Sequence, residues 1–441
     1  MIFQFLDFNF DSNSYLFEMY YTYSEIDHVF KEVLDFSAYK DFAFDFNKHF
    51  EAFKILFLVS GISYYKIFAS GEIELGKFKV NQEQAEFLNF FYKNGLSEFI
   101  YKNQLDFESN IPDFTKYACS YEINNLGNLK LHDLNLLAWG GGKDSIVSSL
   151  LLDFLGEKYD LFCVKSDRIK ESTAKINGSD FFEVKRVLDS KINEFNSRKD
   201  SYNGHVPITG ILAFIKVIVS LMKGYKNIIL SNEFSADEAN LEYKGQKINH
   251  QFSKGIEFEQ KINSYIHKFI HPNLNYFSLL RPFYELKIAE IFSNHAEKYF
   301  PEFSSCNRNF HFDESKNIKG VNFCCECEKC AFVYLILSPF LDKSKLINIF
   351  GKNLFEVEAL RSVYFELCGL SEKKPFECVG TFDECRLAFL NLSLNADWKD
   401  ELLVKDIVKL FEPTLNVDLM SLQEDYSFNE NWYLRIKNEF A

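Results

Sequence analysis

Residues Leu134 to Ser145 read LNLLAWGGGKDS, and no other stretch limits the possible folds of this chain as strongly. The apolar run has the character of a buried strand, and the residues from Ile146 to Leu155 have helical spacing. A strand that passes through three glycines into a helix N-terminus builds an anion site. Glycine lets backbone N–H groups approach phosphate oxygens, and the helix dipole favours negative charge at its start. The G-x-x-x-x-G-K-[ST] spacing of a mononucleotide P-loop is missing, so this is a phosphate loop of another kind. Lys143 is suited to neutralise a leaving pyrophosphate. Asp144 is a candidate Mg²⁺ ligand, and Ser145 offers a hydroxyl and a helix N-cap.

At 441 residues the chain exceeds one average domain, and two or three are expected. The 50 phenylalanines and the excess of lysine over arginine read as codon bias before function. A net charge of −14 repels a phosphate backbone and disfavours a nucleic-acid partner. The longest apolar stretch, Ile208 to Met222, is interrupted by Lys216 and is too short to span a bilayer. The opening MIFQFLDFNFD lacks a basic n-region, so no signal peptide and a cytoplasmic protein are expected. In that compartment cysteines are thiols or metal ligands.

Residues 1–128 read as an α+β module, with a hairpin in residues 1–24 and helical spacing from Asn81 to Asn103. Residues 129–340 alternate β and α, as a parallel sheet with helices on both faces requires. Its expected strands are Leu134–Trp139, Tyr159–Lys165, Phe181–Val184 and Asn227–Ser231, with a helix buried nearly all round from His205 to Gly224. Residues 341–441 read as mostly helical, with the acidic stretch Gln423–Asn429 a solvated cap.

Ligands of open α/β sheets sit beyond the carboxyl ends of the strands. Besides the glycine loop, Asn203-Gly204-His205-Val206-Pro207 and Ser231-Asn232-Glu233-Phe234-Ser235-Ala236 are expected there, and Glu233 is a second candidate Mg²⁺ ligand. The dense polar run Asn249-His250-Gln251-Phe252-Ser253-Lys254 suits a substrate-facing loop. His205 and His250 are candidate substrate contacts. Arg281 and Lys287 are candidates to hold phosphate or carboxylate, although Lys287 and Glu290 also have the spacing of a helix-surface pair.

Ten cysteines occur, and five cluster at Cys306 and in Cys324-Cys325-Glu326-Cys327-Glu328-Lys329-Cys330. C-x₂-C-x₂-C plus one upstream cysteine supplies four thiolates for tetrahedral Zn²⁺, and Cys306, Cys324, Cys327 and Cys330 are the expected set. An iron–sulfur cluster is the alternative. Cys119, Cys163, Cys368, Cys378 and Cys385 are scattered and read as buried apolar thiols.

Gly140-Gly141-Gly142-Lys143-Asp144-Ser145 resembles the S-G-G-x-D-S loop of the N-type ATP pyrophosphatases (the PP-loop superfamily), with glycine in the usual first serine position. Arg281 to Ile291 resembles the R-P-L-x-x-x-x-K-x-E-I segment of the same domains. That resemblance implies a PP-loop fold and cleavage of ATP to AMP and diphosphate, usually to activate a carboxylate as an adenylate. An ordered series then narrows it: W-G-G-G-K-D-S, G-H-V-P, S-N-E-x-S-A, N-H-Q-x-S-K-x-x-x-F-E, C-N-R-x-F, the cysteine cluster and P-F-E-C-V-G-T at Pro375–Thr381. From about Trp139 to Thr381 the chain resembles the UDP-N-acetyl-α-D-muramoyl-L-alanyl-L-glutamate epimerases of bacterial peptidoglycan synthesis. Cys325 departs from the pattern, which usually has glycine there.

The resemblance implies ATP, Mg²⁺ and a UDP-sugar dipeptide as ligands. The terminal L-glutamate would be inverted through an acyl-adenylate, with His205, His250 and Lys254 as the proton-handling candidates. The rivals are a tRNA-thiolating enzyme, disfavoured by the acidic balance; an amide ligase, which shares the activation step; and a zinc-stapled nucleotide sensor.

Overall fold

The first residues alternate apolar and polar side chains and form the expected hairpin, β1 (Phe3–Asp11) with β2 (Leu16–Tyr23), continued antiparallel by β3 (Phe30–Asp35). A two-residue strand, β4 (Ile73–Glu74), pairs parallel with β1. The expected strands follow as β5 (His132–Ala138), β6 (Tyr159–Val164), β7 (Phe181–Val187) and β8 (Tyr225–Leu230). A separate small hairpin, β9 (Leu241–Tyr243) with β10 (Gln246–Ile248), precedes the last strand, β11 (Asn275–Ser278). The computed structural model describes residues 1–441 except 43, 124, 128, 310–316, 319, 372, 373, 412–417 and 441.

Nine of these strands make one sheet in the order β11-β8-β5-β6-β7-β3-β2-β1-β4. The five strands from β11 to β7 run parallel, as expected. The sheet does not end there. β3 pairs antiparallel with β7, Leu34 opposite Arg186, so the sheet is mixed where a purely parallel one was expected. Residues 1–128, read from sequence as a separate α+β module, extend the same sheet. The physical reason is the edge: β7 would otherwise present unpaired N–H and C=O groups.

Strand side chains alternate between two cores. Leu136, Phe162, Ile228 and Tyr276 enter one, which also holds the aromatic N-terminal residues and the helices Phe50–Ser60, Gln82–Gly95 and Ile208–Lys223. Their neighbours Leu137, Leu161, Ile229 and Phe277 enter the other, beneath helices Lys143–Leu155, Glu285–His295 and Glu328–Leu337. Such period-two burial on both faces is why these strands read as continuous apolar runs.

Two expectations change in detail. The helical spacing of Asn81–Asn103 resolves into two helices, Gln82–Gly95 and Ser97–Lys102. Gly95 marks the break, and a Cβ there would lie 2.5 Å from the Pro207 ring, so glycine lets the G-H-V-P segment dock. The stretch Gln423–Asn429 is not a free cap. Gln423 N donates to Pro282 O at 2.8 Å, and the buried Phe428 ring lies 5.7 Å from that of Phe277. Burying Leu422 and Phe428 draws this acidic strip onto the sheet, and helix Glu430–Phe440 then packs on helix Lys143–Leu155. Among the described residues no helix is long and apolar enough to cross a membrane.

Candidate active site

Strand order reverses beside β5: β6 and β7 follow on one side, β8 and β11 on the other. A crevice therefore opens beyond the carboxyl ends of β5 and β8, where open α/β sheets bind ligands. The glycine loop leaves β5 at this point, and Ser231–Ala236 leaves β8.

Gly141 has φ of +71°, and a Cβ there would lie 2.8 Å from Thr173 Oγ1, so only glycine suits the turn. The helix begins at Lys143 with Gly142 as its N-cap, and no side chain caps its first turn. Ser145 is not the cap expected from sequence. It lies inside the first turn, and its hydroxyl donates to Gly142 O at 3.1 Å, because the three glycines place the helix start earlier.

Lys143 is fully buried and bonds both Asp144 and Glu285. Burial works against its charge, yet the two carboxylates raise its pKa above the usual lysine value. Burial also opposes the Asp144 carboxylate, but Lys143, Lys329 and Lys254 hold it below the ordinary range. Glu285 goes the other way: burial, reinforced by Asp144 and Glu233, pushes it up to about 8 against the pull of Lys143. Glu233 is buried at 4% exposure, so it is no plain surface carboxylate. Asp144, Glu233 and Glu285 thus stand among the lysines Lys143, Lys254 and Lys329 behind the glycine loop, and Asp144 and Glu233 offer oxygen donors of the kind a hard cation such as Mg²⁺ takes.

Arg281 is fully buried, donating to Glu233 O at 2.9 Å, to Lys254 O and to Glu259 Oε2 at 3.1 Å. The structure engages it in clamping the backbones that carry Glu233 and Lys254. Lys287 pairs with Glu290 at 2.8 Å, the helix-surface arrangement.

The polar run and the G-H-V-P segment meet. His250 Nδ1 lies 2.6 Å from Glu98 Oε2, His205 Nδ1 lies 3.9 Å from the same oxygen, and the two rings are 4.4 Å apart between centroids. Asn240 Oδ1 accepts from the His250 backbone N–H at 2.8 Å, and Asn240 Nδ2 donates to Pro375 O at 2.9 Å, which fixes the loop. Burial and the neighbouring His250 lower His205 to about 4, so its ring is neutral. Burial opposes His250 protonation, but Cys378 and Glu98 raise it to about 9, so its ring is cationic near neutral pH.

Lys254 is the junction. Its Nζ lies 3.1 Å from Cys378 Sγ, and Cys378, Glu233 and Asp144 raise its pKa against the cost of burial. It therefore couples the carboxylates of the glycine loop to the histidine pair. Cys378 is not the apolar thiol expected from sequence. Burial alone would push its thiol up, yet Lys254, the His250 hydrogen bond and Lys329 bring it down to about 6. Its turn is fixed by the capping box of Thr381 and Glu384, and Lys329 donates to its carbonyl.

The cysteine set is the expected one. The sulfurs of Cys306, Cys324, Cys327 and Cys330 all lie within 4.8 Å of one another, with Cys306–Cys327 at 3.9 Å and Cys324–Cys330 at 3.7 Å. A tetrahedron with metal–sulfur bonds of 2.3 Å has edges of about 3.8 Å. Cys325 turns away and contacts Phe350 O at 3.1 Å, and its φ of +57° explains why glycine suits this position. This cluster could hold a metal ion, and it anchors the helix that carries Lys329. Phe310, the last residue of C-N-R-x-F, lies outside the described residues.

Sequence reasoning missed Cys378, Glu98, Glu285 and Lys329. Cys378 lay inside a quoted motif, and Lys329 lay among the cysteines. Glu98 and Glu285 carried no signal, since one sits in a module with no readable motif and the other resembles an ordinary first-turn helix carboxylate. A cavity of about 800 Å³ adjoins His205, lined also by Lys66, Lys165, Arg168, Arg186 and Asn203.

Two family models match the chain: the MurL N-terminal domain over residues 1–279 and the MurL C-terminal domain over residues 302–420. A protein of Xanthomonas oryzae pv. oryzae named UDP-N-acetyl-alpha-D-muramoyl-L-alanyl-L-glutamate epimerase is 33% identical over 397 residues, 89% of this chain and 86% of that protein. Proteins of the same name from a Micromonospora species and from Salinispora tropica are 32% and 31% identical, each over 80% of this chain and over 77% and 76% of their own lengths. With one model spanning more than half of the chain and a relative one-third identical across most of it, this protein belongs to the MurL family.

Proposed function

We propose that this chain is an ATP-dependent epimerase that inverts the terminal L-glutamate of UDP-MurNAc-L-Ala-L-Glu through an acyl-adenylate, releasing AMP and diphosphate. The observation that carries this reading is Lys254. One ammonium joins the carboxylate pocket behind the glycine loop to the Cys378–His250–Glu98–His205 chain, so an activation site and a proton-transfer site adjoin. A ligase or a sensor needs the first of these and not the second.

The chemistry explains the need for both. A carboxylate makes its α-hydrogen very hard to remove, because the carbanion would sit beside a negative charge. Attack of that carboxylate on the α-phosphorus of ATP, with diphosphate leaving, removes the charge and permits an enolate. Donors fixed beside the developing oxyanion stabilise it. After reprotonation water attacks the acyl carbon, breaking its bond to the bridging oxygen so that AMP leaves with one former carboxylate oxygen. Gly140, Gly141, Gly142 and Ser145 would cradle the phosphates, and Lys143 would neutralise charge on the diphosphate. Asp144 and Glu233 would hold Mg²⁺, which neutralises phosphate charge when bound. Arg281 keeps the Glu233 and Lys254 backbones in place, while Lys287 is engaged by Glu290 on its own helix.

Neutral His205 is suited to accept a proton and cationic His250 to donate one, with Lys254 holding the intervening charge. The cavity of about 800 Å³ beside His205 has the volume for a nucleotide-sugar peptide. Cys306, Cys324, Cys327 and Cys330 would hold a structural Zn²⁺; their spacing suits one ion better than a cluster that interposes iron and sulfide atoms.

The test is isotopic. Substrate carrying ¹⁸O in the α-carboxylate of the terminal glutamate should pass one ¹⁸O to AMP. His250→Ala should keep that transfer while inversion falls at least 100-fold. AMP without label would sink the adenylate, and undiminished inversion would remove His250.

A further inference from the structure

We propose that the Cys378 thiolate is one of the two groups that exchange the α-proton of the activated glutamyl residue. This rests on the epimerase reading above and names a catalytic residue for it. Three placements support it. Cys378 Sγ is held 3.1 Å from Lys254 Nζ, and cationic His250 is close enough to lower its pKa as well. Cys378 is only partly exposed, so it belongs to the protein wall beside the histidine pair. Lys254, which it contacts, also interacts with Asp144 and Glu233, so Cys378 adjoins both the carboxylates at the glycine loop and the histidine pair.

A polarisable sulfur anion suits this task. The pull of Lys254 and His250 keeps the thiol ionised near neutral pH, and a thiolate is far less hydrated than a carboxylate in the same wall. The step balances without a co-reactant. Neutral His205 takes the α-hydrogen as a proton, and the C–H electron pair moves into the adjoining acyl carbonyl as an enolate. Cys378 Sγ, protonated by cationic His250 as that ring becomes neutral, delivers the proton to the opposite face and re-forms the C–H bond with inverted configuration. The proton on His205 then passes to His250 by way of Glu98, whose Oε2 faces both rings, so no net proton is consumed. The fixed Lys254 ammonium keeps the thiol acidic in every turnover.

The experiment compares wild type with Cys378→Ser in D₂O with ATP, Mg²⁺ and UDP-MurNAc-L-Ala-L-Glu. It follows AMP, deuterium at the α-carbon and glutamate configuration. The expected result is AMP release within about threefold of wild type and inversion reduced at least 100-fold, with any α-deuterium found in glutamate that is still L. Inversion within threefold of wild type would overturn the proposal. So would joint loss of AMP release and inversion in a folded variant, because that pattern belongs to a thiolate that takes the acyl group or serves activation. A wild type that releases no AMP overturns the underlying reading instead, and so separates the two failures.

Alkylation supplies an assay that does not depend on the folding of Cys378→Ser. Iodoacetamide labelling of Cys378 in the wild-type protein, located by peptide mass spectrometry, should reach half its maximal rate near pH 6. Lys254→Met should move that midpoint up by more than one pH unit. The charged groups facing Sγ are Lys254, His250 and Lys329, with Glu233 and Asp144 behind Lys254 and Glu98, His205 and Glu377 around His250. A labelling midpoint at the ordinary cysteine value, or one unmoved by Lys254→Met, would overturn the assignment.

Discussion

Replacing Glu98 by glutamine tests the electrostatics of the histidine pair. Glu98 is a buried carboxylate whose own pKa burial tends to raise, but His250, His205 and Lys102 bring it below the usual range. It faces His250 at 2.6 Å. In the wild type His250 is raised from 6.5 to about 9, and Cys378 and Glu98 are the partners that overcome burial. At 1.36 kcal/mol per pKa unit, that shift is worth about 3 kcal/mol of preference for the cation. Glutamine keeps the shape and a hydrogen bond and removes one of the two charges, so roughly half the preference should go. The His250 midpoint should then fall by about 1 to 1.5 pH units.

The sign for stability follows. A histidine whose folded pKa is raised contributes stability that is complete below about pH 6.5 and is lost as pH rises through about 9. Wild type minus Glu98→Gln should therefore show a stability gap of about 1 to 2 kcal/mol at pH 6 that narrows toward pH 9.5. Histidine titration by NMR reads the first quantity, and urea melts across pH read the second. A His250 midpoint that stays near 9 in the variant would refute the reasoning, since Glu98 would then not be what holds the charge.

Other outcomes follow from the same structure. Arg281→Ala leaves buried Glu259 without its cation and two backbone carbonyls without a donor, so it should cost about 3 to 5 kcal/mol in urea melts. ATP binding lost at unchanged stability would instead make Arg281 a phosphate ligand. Lys216 sits buried in helix Ile208–Lys223, and burial pulls its pKa down to about 7. Its penalty is full below that pH and fades as pH rises toward the unfolded value, so Lys216→Met should stabilise the protein by a few kcal/mol at pH 7 and by little at pH 10; equal melts at pH 7 would contradict it. Elemental analysis should find one zinc per chain in wild type and Cys325→Ser and almost none in Cys330→Ser; a brown, iron-containing protein would overturn the zinc assignment.

The legible parts of this chain were those where one physical rule acts locally. Period-two burial made β5, β6 and β8 readable as apolar runs, and the glycine run Gly140–Gly142 announced the tight turn that Gly141 makes with its positive φ. Cysteine spacing picked out the same four sulfurs that the structure brings within 4.8 Å of one another, and the left-handed φ of Cys325 accounts for its odd place in the motif. What was hidden depends on distant parts of the chain meeting. The β3–β7 pairing joins residues about 150 apart, and nothing in either strand specifies its edge partner. Glu98 gains a role only because His205 and His250 arrive beside it. Cys378 looked like one more apolar thiol because Lys254, which makes it acidic, lies 124 positions earlier in the chain. The cap assigned to Ser145 failed on a local detail, since Gly142 already occupies that position.

The central claim is that activation and inversion occur in one site. Its most direct test is a single incubation with ATP, Mg²⁺ and UDP-MurNAc-L-Ala-L-Glu, measuring AMP and the configuration of the recovered glutamate together. The account predicts AMP and diphosphate accompanied by D-glutamate, with neither formed when the other substrate is left out. AMP released with the glutamate still entirely L, or D-glutamate formed without ATP, would contradict it.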